Sequence, residues 1–217
     1  MTLPLPTPLQ PGNPAPDFTL PTVERDGHVS LSDYRGKTLL LALFPGFFCP
    51  FCRRAIVQLG SSSQKLKTLG IESLGVVATD LENARLYYRF RPSQVSLAVD
   101  PERTTHRAYS VPQIEITPEL IQMVGEVRIN PSGELSEPMT IDKASDALNR
   151  LDGYQPTAAD RRDGGQQLAQ LKGQFLIDRD GLIRWANLEC GREGPTGLGK
   201  FPTYEELLEA TAQHALL

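Results

Sequence analysis

Two periods of hydrophobic residues alternate along the chain, and their alternation predicts most of the elements. Residues 38–44, TLLLALF, form a continuous apolar run between Gly36-Lys37 and Pro45-Gly46, the pattern of a strand buried on both faces. From Pro50 the pattern turns helical, with Ala55, Ile56 and Leu59 on one side and Gly60 with the serines after it marking a break or kink. IESLGVVA (71–78) reads as a second buried strand and DLENARLYYRF (80–90) as a helix with Asp80 as N-cap. VSLAV (95–99) reads as a third strand, and PERTTHRAY (101–109) as a short helix opened by proline.

Near the C-terminus GQFLIDRDGLIRWANLE (173–189) is a hairpin, two apolar runs joined through Arg179-Asp180-Gly181, where the Asp-Gly pair supplies the turn. The last helix opens with Thr203 and Glu206 at capping-box spacing and repeats Leu207, Ala210 and His214 on one stripe. The order is βαβαβα, an interruption, then ββα. The interruption, residues 112–170, is rich in Pro, Gly, Asp and Gln and carries at most two modest helical patterns, one placing Ala144, Leu148 and Leu151 on a face. It reads as an insertion or lid without a hydrophobic core of its own, within one domain over 13–217. Residues 1–12, Pro-rich, read as a loosely packed arm.

Composition narrows the function classes. With 217 residues, 40% of them hydrophobic, the chain buries a sizeable core. A formal net charge of −4 with scattered basic residues gives no footprint for nucleic acid or an anionic membrane. The first residues lack a basic start and an apolar h-region, and no stretch reaches the ~18 apolar residues of a membrane helix, so a cytoplasmic protein is expected.

Three cysteines without a secretion signal argue against a disulfide framework, and a close pair in a reducing compartment points to chemistry. That pair, Cys49 and Cys52 in FPGFFCPFCRR (44–54), sits at the strand-to-helix corner. A thiol there faces unpaired N–H groups and the positive end of the helix dipole, which favour thiolate; Arg53 and Arg54 add charge if they face it. Pro50 suits the first helical turn, and the spacing lets the sulfurs close a disulfide.

The rivals are weaker. A structural zinc would need Cys190 and a scattered histidine as further ligands, and a c-type haem needs histidine where Arg53 stands. Inert core thiols fit poorly with the adjacent Arg-Arg pair. No cofactor or metal is expected. Cys190 reads as a half-buried thiol at a strand end, His28, His106 and His214 as surface or helix-face residues, Trp185 as core, and Asp178-Arg179-Asp180 as turn chemistry.

With these elements placed, GNPAPDFTLPTVERDGHVSLSDYRGKTLLLALFPGFFCPFC (12–52) and GQFLIDRDGLIRWA resemble the thioredoxin superfamily, in particular the alkyl hydroperoxide reductase/thiol-specific antioxidant branch, the peroxiredoxins and peroxiredoxin-like proteins. The resemblance covers most of 12–109 and 172–217. It implies an α/β thioredoxin-like, peroxiredoxin-type fold with a central mixed sheet flanked by helices, and an oxidoreductase with a redox-active CxxC disulfide serving antioxidant defence and cell redox homeostasis. The substrate would be a peroxide or a protein disulfide, the reductant a thioredoxin- or glutaredoxin-type thiol donor.

The family's Pro-x-x-x-Thr/Ser-x-x-Cys frame falls here on Pro45, Cys49 and Cys52, making Cys52 peroxidatic; the thioredoxin frame makes Cys49 the attacking thiol and Cys52 the resolving one. The family's second active-site residue, an arginine before the late strand, is matched by Lys172, which keeps the charge and loses the two-donor fork. The expected site is therefore Cys49, Cys52, Pro45 and Lys172, with Cys49 exchanging with partners. A non-enzymatic reading competes, a thioredoxin-fold binding module whose insertion recognises a partner. The insertion is expected to gate substrate or to build a homodimer.

Overall fold

A computed structural model describes residues 9–213. Strands β1 (Thr19–Pro21) and β2 (His28–Ser30) pair as a small antiparallel hairpin. The main sheet holds β3 (Thr38–Phe44), β4 (Ile71–Val77), β5 (Ser96–Val99), β6 (Gly173–Ile177) and β7 (Ile183–Leu188) in the order β5-β4-β3-β6-β7. β3, β4 and β5 run parallel, while β6 and β7 are antiparallel to their neighbours, which makes the sheet mixed.

Period two explains the apolar run of β3. Leu40, Ala42 and Phe44 pack on one face against Ala55, Ile56 and Leu59 of α1 (Pro50–Lys67) and Leu207 and Ala210 of α7 (Tyr204–Gln213). Leu39, Leu41 and Leu43 pack on the other face with Phe18, Leu31, Tyr109 and Phe175. All seven residues of β3 are buried, as a central strand covered on both faces requires. This is the thioredoxin-like architecture expected from the sequence.

Several local expectations change. α1 is continuous from Pro50 to Lys67, with no break at Gly60. A Cβ at Gly60 would lie 3.3 Å from Gln94 Cβ, so the glycine allows a close approach rather than a kink. α2 (Leu81–Phe90) has Asp80 as N-cap, its carboxylate accepting from Asn83 N–H. α3 (Thr104–Ala108) starts three residues after Pro101, because the Asp100 carboxylate accepts from Thr105 N–H at 2.6 Å and from Thr104 Oγ1. Residues 1–8 of the Pro-rich arm and His214 lie outside the described residues. From Gly12 onward the arm is pinned, Gly12 N–H donating to Ile183 O and Ile183 N–H to Asn13 O.

Between β5 and β6 stand three helices after α3, not two: α4 (Pro118–Glu126), α5 (Ile141–Asp152) and α6 (Ala158–Gln167). The ends of this region run side by side, with Leu171 N–H donating to Pro112 O and Ile114 N–H to Ala169 O. A small cluster of Ile129, Leu135, Ala144 and Leu148 closes on Phe51 of α1, so the region borrows its core from the active helix. Leu151 is exposed, outside the face expected for it.

Candidate active site

The corner after β3 puts both sulfurs at the start of α1. Cys49 is the N-cap, with extended backbone, and Pro50 follows inside the helix. Cys52 N–H donates to Cys49 Sγ at 3.4 Å, so a helix N-terminal donor points at that sulfur. Gly46 is required in the approach: a Cβ there would sit 2.8 Å from the Phe48 ring. Cys49 is half-buried and Cys52 only 1% exposed, so the first residue of the pair is the more open one.

The environment separates the two thiols. The side-chain hydrogen bond with Cys52 lowers the Cys49 pKa to about 7, burial opposes this, and the Lys172 ammonium adds to the lowering. Burial pushes Cys52 well above its ordinary value, and the bond to Cys49 and the Cys49 charge push the same way. These effects favour the anion on Cys49 over the anion on Cys52.

Lys172 stands immediately before β6 and is 1% exposed, its ammonium paired with the buried carboxylate of Glu189. Glu189 also accepts Lys172 N–H at 3.0 Å and Gly199 N–H at 2.7 Å. Burial alone would lower the Lys172 pKa; Glu189 and then the two sulfurs outweigh it and hold the ammonium above its ordinary value.

Arg53 and Arg54, which could add charge only if they faced the sulfurs, instead turn toward the region between β5 and β6. Arg53, buried, donates to Asp152 Oδ2 at 2.7 Å, to Asn149 Oδ1 at 2.6 Å and to Phe47 O at 2.6 Å, with its guanidinium 3.9 Å from the Tyr154 ring centre. Arg54 bridges Asp152 and Glu134. They fasten α5 to the active helix.

Above the corner lies a cleft of ≈ 490 Å³. Its floor holds Pro45, Cys49, Cys52, Lys172 and Glu189, and α4 contributes Leu120, Ile121 and Val124 to the opposite wall. The four expected site residues thus line one cavity. The AhpC/TSA family model matches residues 11–186. The chain belongs to the AhpC/TSA family. Among similar AhpC/TSA-type proteins, a Haemophilus influenzae protein named as a peroxiredoxin of the bcp type is 31% identical over 104 residues, covering 48% of this chain and 66% of that protein. Peroxiredoxin 2 of Thermoplasma acidophilum is 42% identical over 65 residues, covering 30% and 32%. The chain thus spans from about a third to just under two thirds of these curated relatives. The reduced 2-Cys peroxiredoxin of Plasmodium vivax superposes with a TM-score of 0.57 at 15% identity, covering 94% of this chain and 96% of that one. A Chlorobium tepidum structure described as a thiol:disulfide interchange protein DsbE gives 0.52 at 21%, covering 96% and 99%. These two establish the thioredoxin-like fold.

The remaining expected residues fall outside the cleft. Trp185 is core, and Asp178 Oδ1 accepts from Asp180 N–H and Leu182 N–H as turn chemistry. His28 is exposed on β2, whereas His106, one of those expected on the surface or on a helix face, lies on α3 and is fully buried, which lowers its pKa to about 4. Cys190 is more buried than expected, its thiol pushed up to about 12 mainly by burial.

Sequence reasoning missed Glu189, the tether from Arg53 to Asp152, and the α4 wall. The turn closes as a three-residue loop, Arg179-Asp180-Gly181, with Asp178 N–H donating to Leu182 O, and a hairpin symmetric about that loop would place Leu188 opposite Lys172. The pairing instead shifts by one residue: Ile177 faces Ile183 but Leu176 faces Trp185, leaving Arg184 as the extra residue of a bulge. That shift brings Glu189 opposite Lys172, where its N–H donates to Lys172 O.

Proposed function

We propose that the chain is a thiol-dependent oxidoreductase that reduces organic hydroperoxides by cycling a Cys49–Cys52 disulfide. The observation that carries this is the asymmetry of the pair, a half-buried Cys49 whose sulfur accepts a helix N-terminal N–H beside a buried Cys52. This favours the frame in which Cys49 attacks. Its thiolate attacks the outer peroxide oxygen, the O–O bond breaks, and the alkoxide leaves as alcohol with a proton, giving Cys49 sulfenic acid. The Cys52 sulfur then displaces water from Cys49, the Cys52 proton leaving with it, and a thioredoxin- or glutaredoxin-type dithiol returns two electrons to the disulfide. Pro45 shapes the corner and Lys172 supports the thiolate.

The apolar wall on α4 favours a substrate with a hydrocarbon body over hydrogen peroxide, and a cleft of this size suits a small molecule. Residues 112–170 act as an insertion that builds this wall and gates substrate, in a cytoplasmic enzyme. The binding-module reading differs in one outcome: it requires partner binding to survive conversion of both cysteines to serine.

Stopped-flow consumption of cumene hydroperoxide by reduced wild type, Cys49→Ser and Cys52→Ser tests the proposal. Cys49→Ser should lose consumption, and Cys52→Ser should complete one turnover and stall. Consumption that survives in Cys49→Ser and vanishes in Cys52→Ser would reverse the roles, and consumption by none of the proteins would reject the peroxidase.

A further inference from the structure

The buried pair under the sulfurs is unusual company for a cleft with an apolar wall. Taking an ammonium and a carboxylate out of water is costly, and an apolar pair of similar volume is often as stable or more so. Lys172 and Glu189 are 1% and 8% exposed and close on each other, and Glu189 is gripped by two backbone N–H groups. A fixed carboxylate opposite the lysine exists only because Arg184 bulges out of β7 and shifts the register by one. Arg184 is itself held there, its Nε donating to Asp178 Oδ2 at 2.6 Å.

We propose that Glu189 is the positioning residue of this site, keeping the Lys172 ammonium charged and fixed beside Cys49 and Cys52. A lysine as buried as this one, with no counter-ion, gives up its proton in preference to remaining a desolvated cation. Glu189 prevents that. Lys172 favours the anion on both sulfurs more strongly than Glu189 disfavours it, and all four side chains line one cleft. The inference rests on the thiol-oxidoreductase reading for its purpose. Its test does not, because thiolate is read on the reduced protein without turnover.

The titratable groups acting on the pair are Cys49 at the cap of α1, Cys52 within it and Cys190 next to Glu189, and Asp142 of α5 is a further acidic residue lining the cleft. The pH dependence of Cys49 alkylation by iodoacetamide, mapped by mass spectrometry, separates two roles by sign. If Glu189 were only a nearby negative charge, Glu189→Gln would expose the sulfurs to an unopposed ammonium and the Cys49 midpoint would fall. If it keeps Lys172 charged, the midpoint rises from about 7 by about one unit or more, since the neutral lysine no longer favours thiolate. Glu189→Asp should restore part of the shift. In a Lys172→Met background the same Glu189→Gln change should no longer raise the midpoint, because the route through lysine is gone.

A nitrogen-detected NMR titration of the Lys172 ammonium in wild type needs no variant to fold. It should show the ammonium protonated throughout pH 6 to 10, a range that contains the Cys49 transition at about 7. A midpoint that falls in Glu189→Gln, or a Lys172 in wild type that titrates within that range, would overturn the proposal.

Discussion

α4 and α5 stand in the same region between β5 and β6 and both reach the cleft, yet they are held in different ways. α5 buries Ala144 and Leu148 against Phe51 and ends in the Asp152 carboxylate that binds Arg53 and Arg54. α4 is capped by Thr117 and carries Leu120, Ile121, Met123 and Val124, but no residue of it is buried, and Ile121 is 62% exposed. An apolar stripe alone does not decide burial; the facing surface does. α1 offers α5 an apolar residue and two arginines, whereas α4 faces the open cleft. The fastened helix stabilises the corner where the chemistry is, and the unfastened one presents apolar surface to whatever enters.

The strongest way to break that contrast is Arg53→Ala. It removes one of the two arginines that hold Asp152 and leaves Phe47 O and Asn149 Oδ1 without their donor. Removing one member of a largely buried pair costs about 3–5 kcal/mol, so urea unfolding should show a loss of that size. A loss under about 1 kcal/mol would mean that α5 is not fastened through this arginine. Next in size is Leu148→Ala, which opens a cavity between α5 and Phe51 and should cost about 2–4 kcal/mol by the same measurement. If it costs no more than a surface substitution, the two helices are alike after all.

A third test asks whether the chemistry belongs to the fastened side. The bond from Cys52 and the Lys172 charge favour the Cys49 anion over the effect of burial, so the folded thiol ionises at about 7. Thiolate is therefore present above that pH and lost below it. Alkylation of Cys49 should be near its plateau at pH 8 and fall about tenfold for each unit below the midpoint. A midpoint at the ordinary thiol value of about 8.5 would show that the corner does not activate Cys49.

Much of this was legible in the sequence. The continuous apolar run of β3 announced a strand covered on both faces, Pro50 after Cys49 announced a helix start, and the Asp-Gly turn announced the late hairpin, so the elements and both sulfurs could be placed, while the fold and Lys172 came from the resemblance to the peroxiredoxins. Glu189 could not, because a one-residue bulge at Arg184 leaves no mark in an alternating pattern and yet changes every partner beyond it. The directions of Arg53 and Arg54 were equally hidden. A long side chain at a helix start points where its partner is, and that partner, Asp152, is 99 residues away from Arg53. His106 shows the converse, a polar residue wholly buried because α3 packs against the end of β3, which an isolated histidine in a short helix does not reveal.

The smallest effect, and the sharpest on the unfastened side, is expected from Ile121→Ser. The side chain is mostly exposed, so unfolding stability should stay within about 0.5 kcal/mol of wild type. In the cleft the same change removes apolar surface from the wall opposite the sulfurs. If that surface contacts a hydrocarbon body, losing about 1 kcal/mol of contact should reduce selectivity for cumene hydroperoxide over hydrogen peroxide about fivefold, carried by KM. Leu148→Ala makes the opposite demand, a large stability loss with selectivity retained in the folded fraction. Should Ile121→Ser leave the selectivity ratio untouched while remaining folded, α4 would be a bystander, and substrate choice would have to lie in the floor that Cys49, Lys172 and Glu189 share.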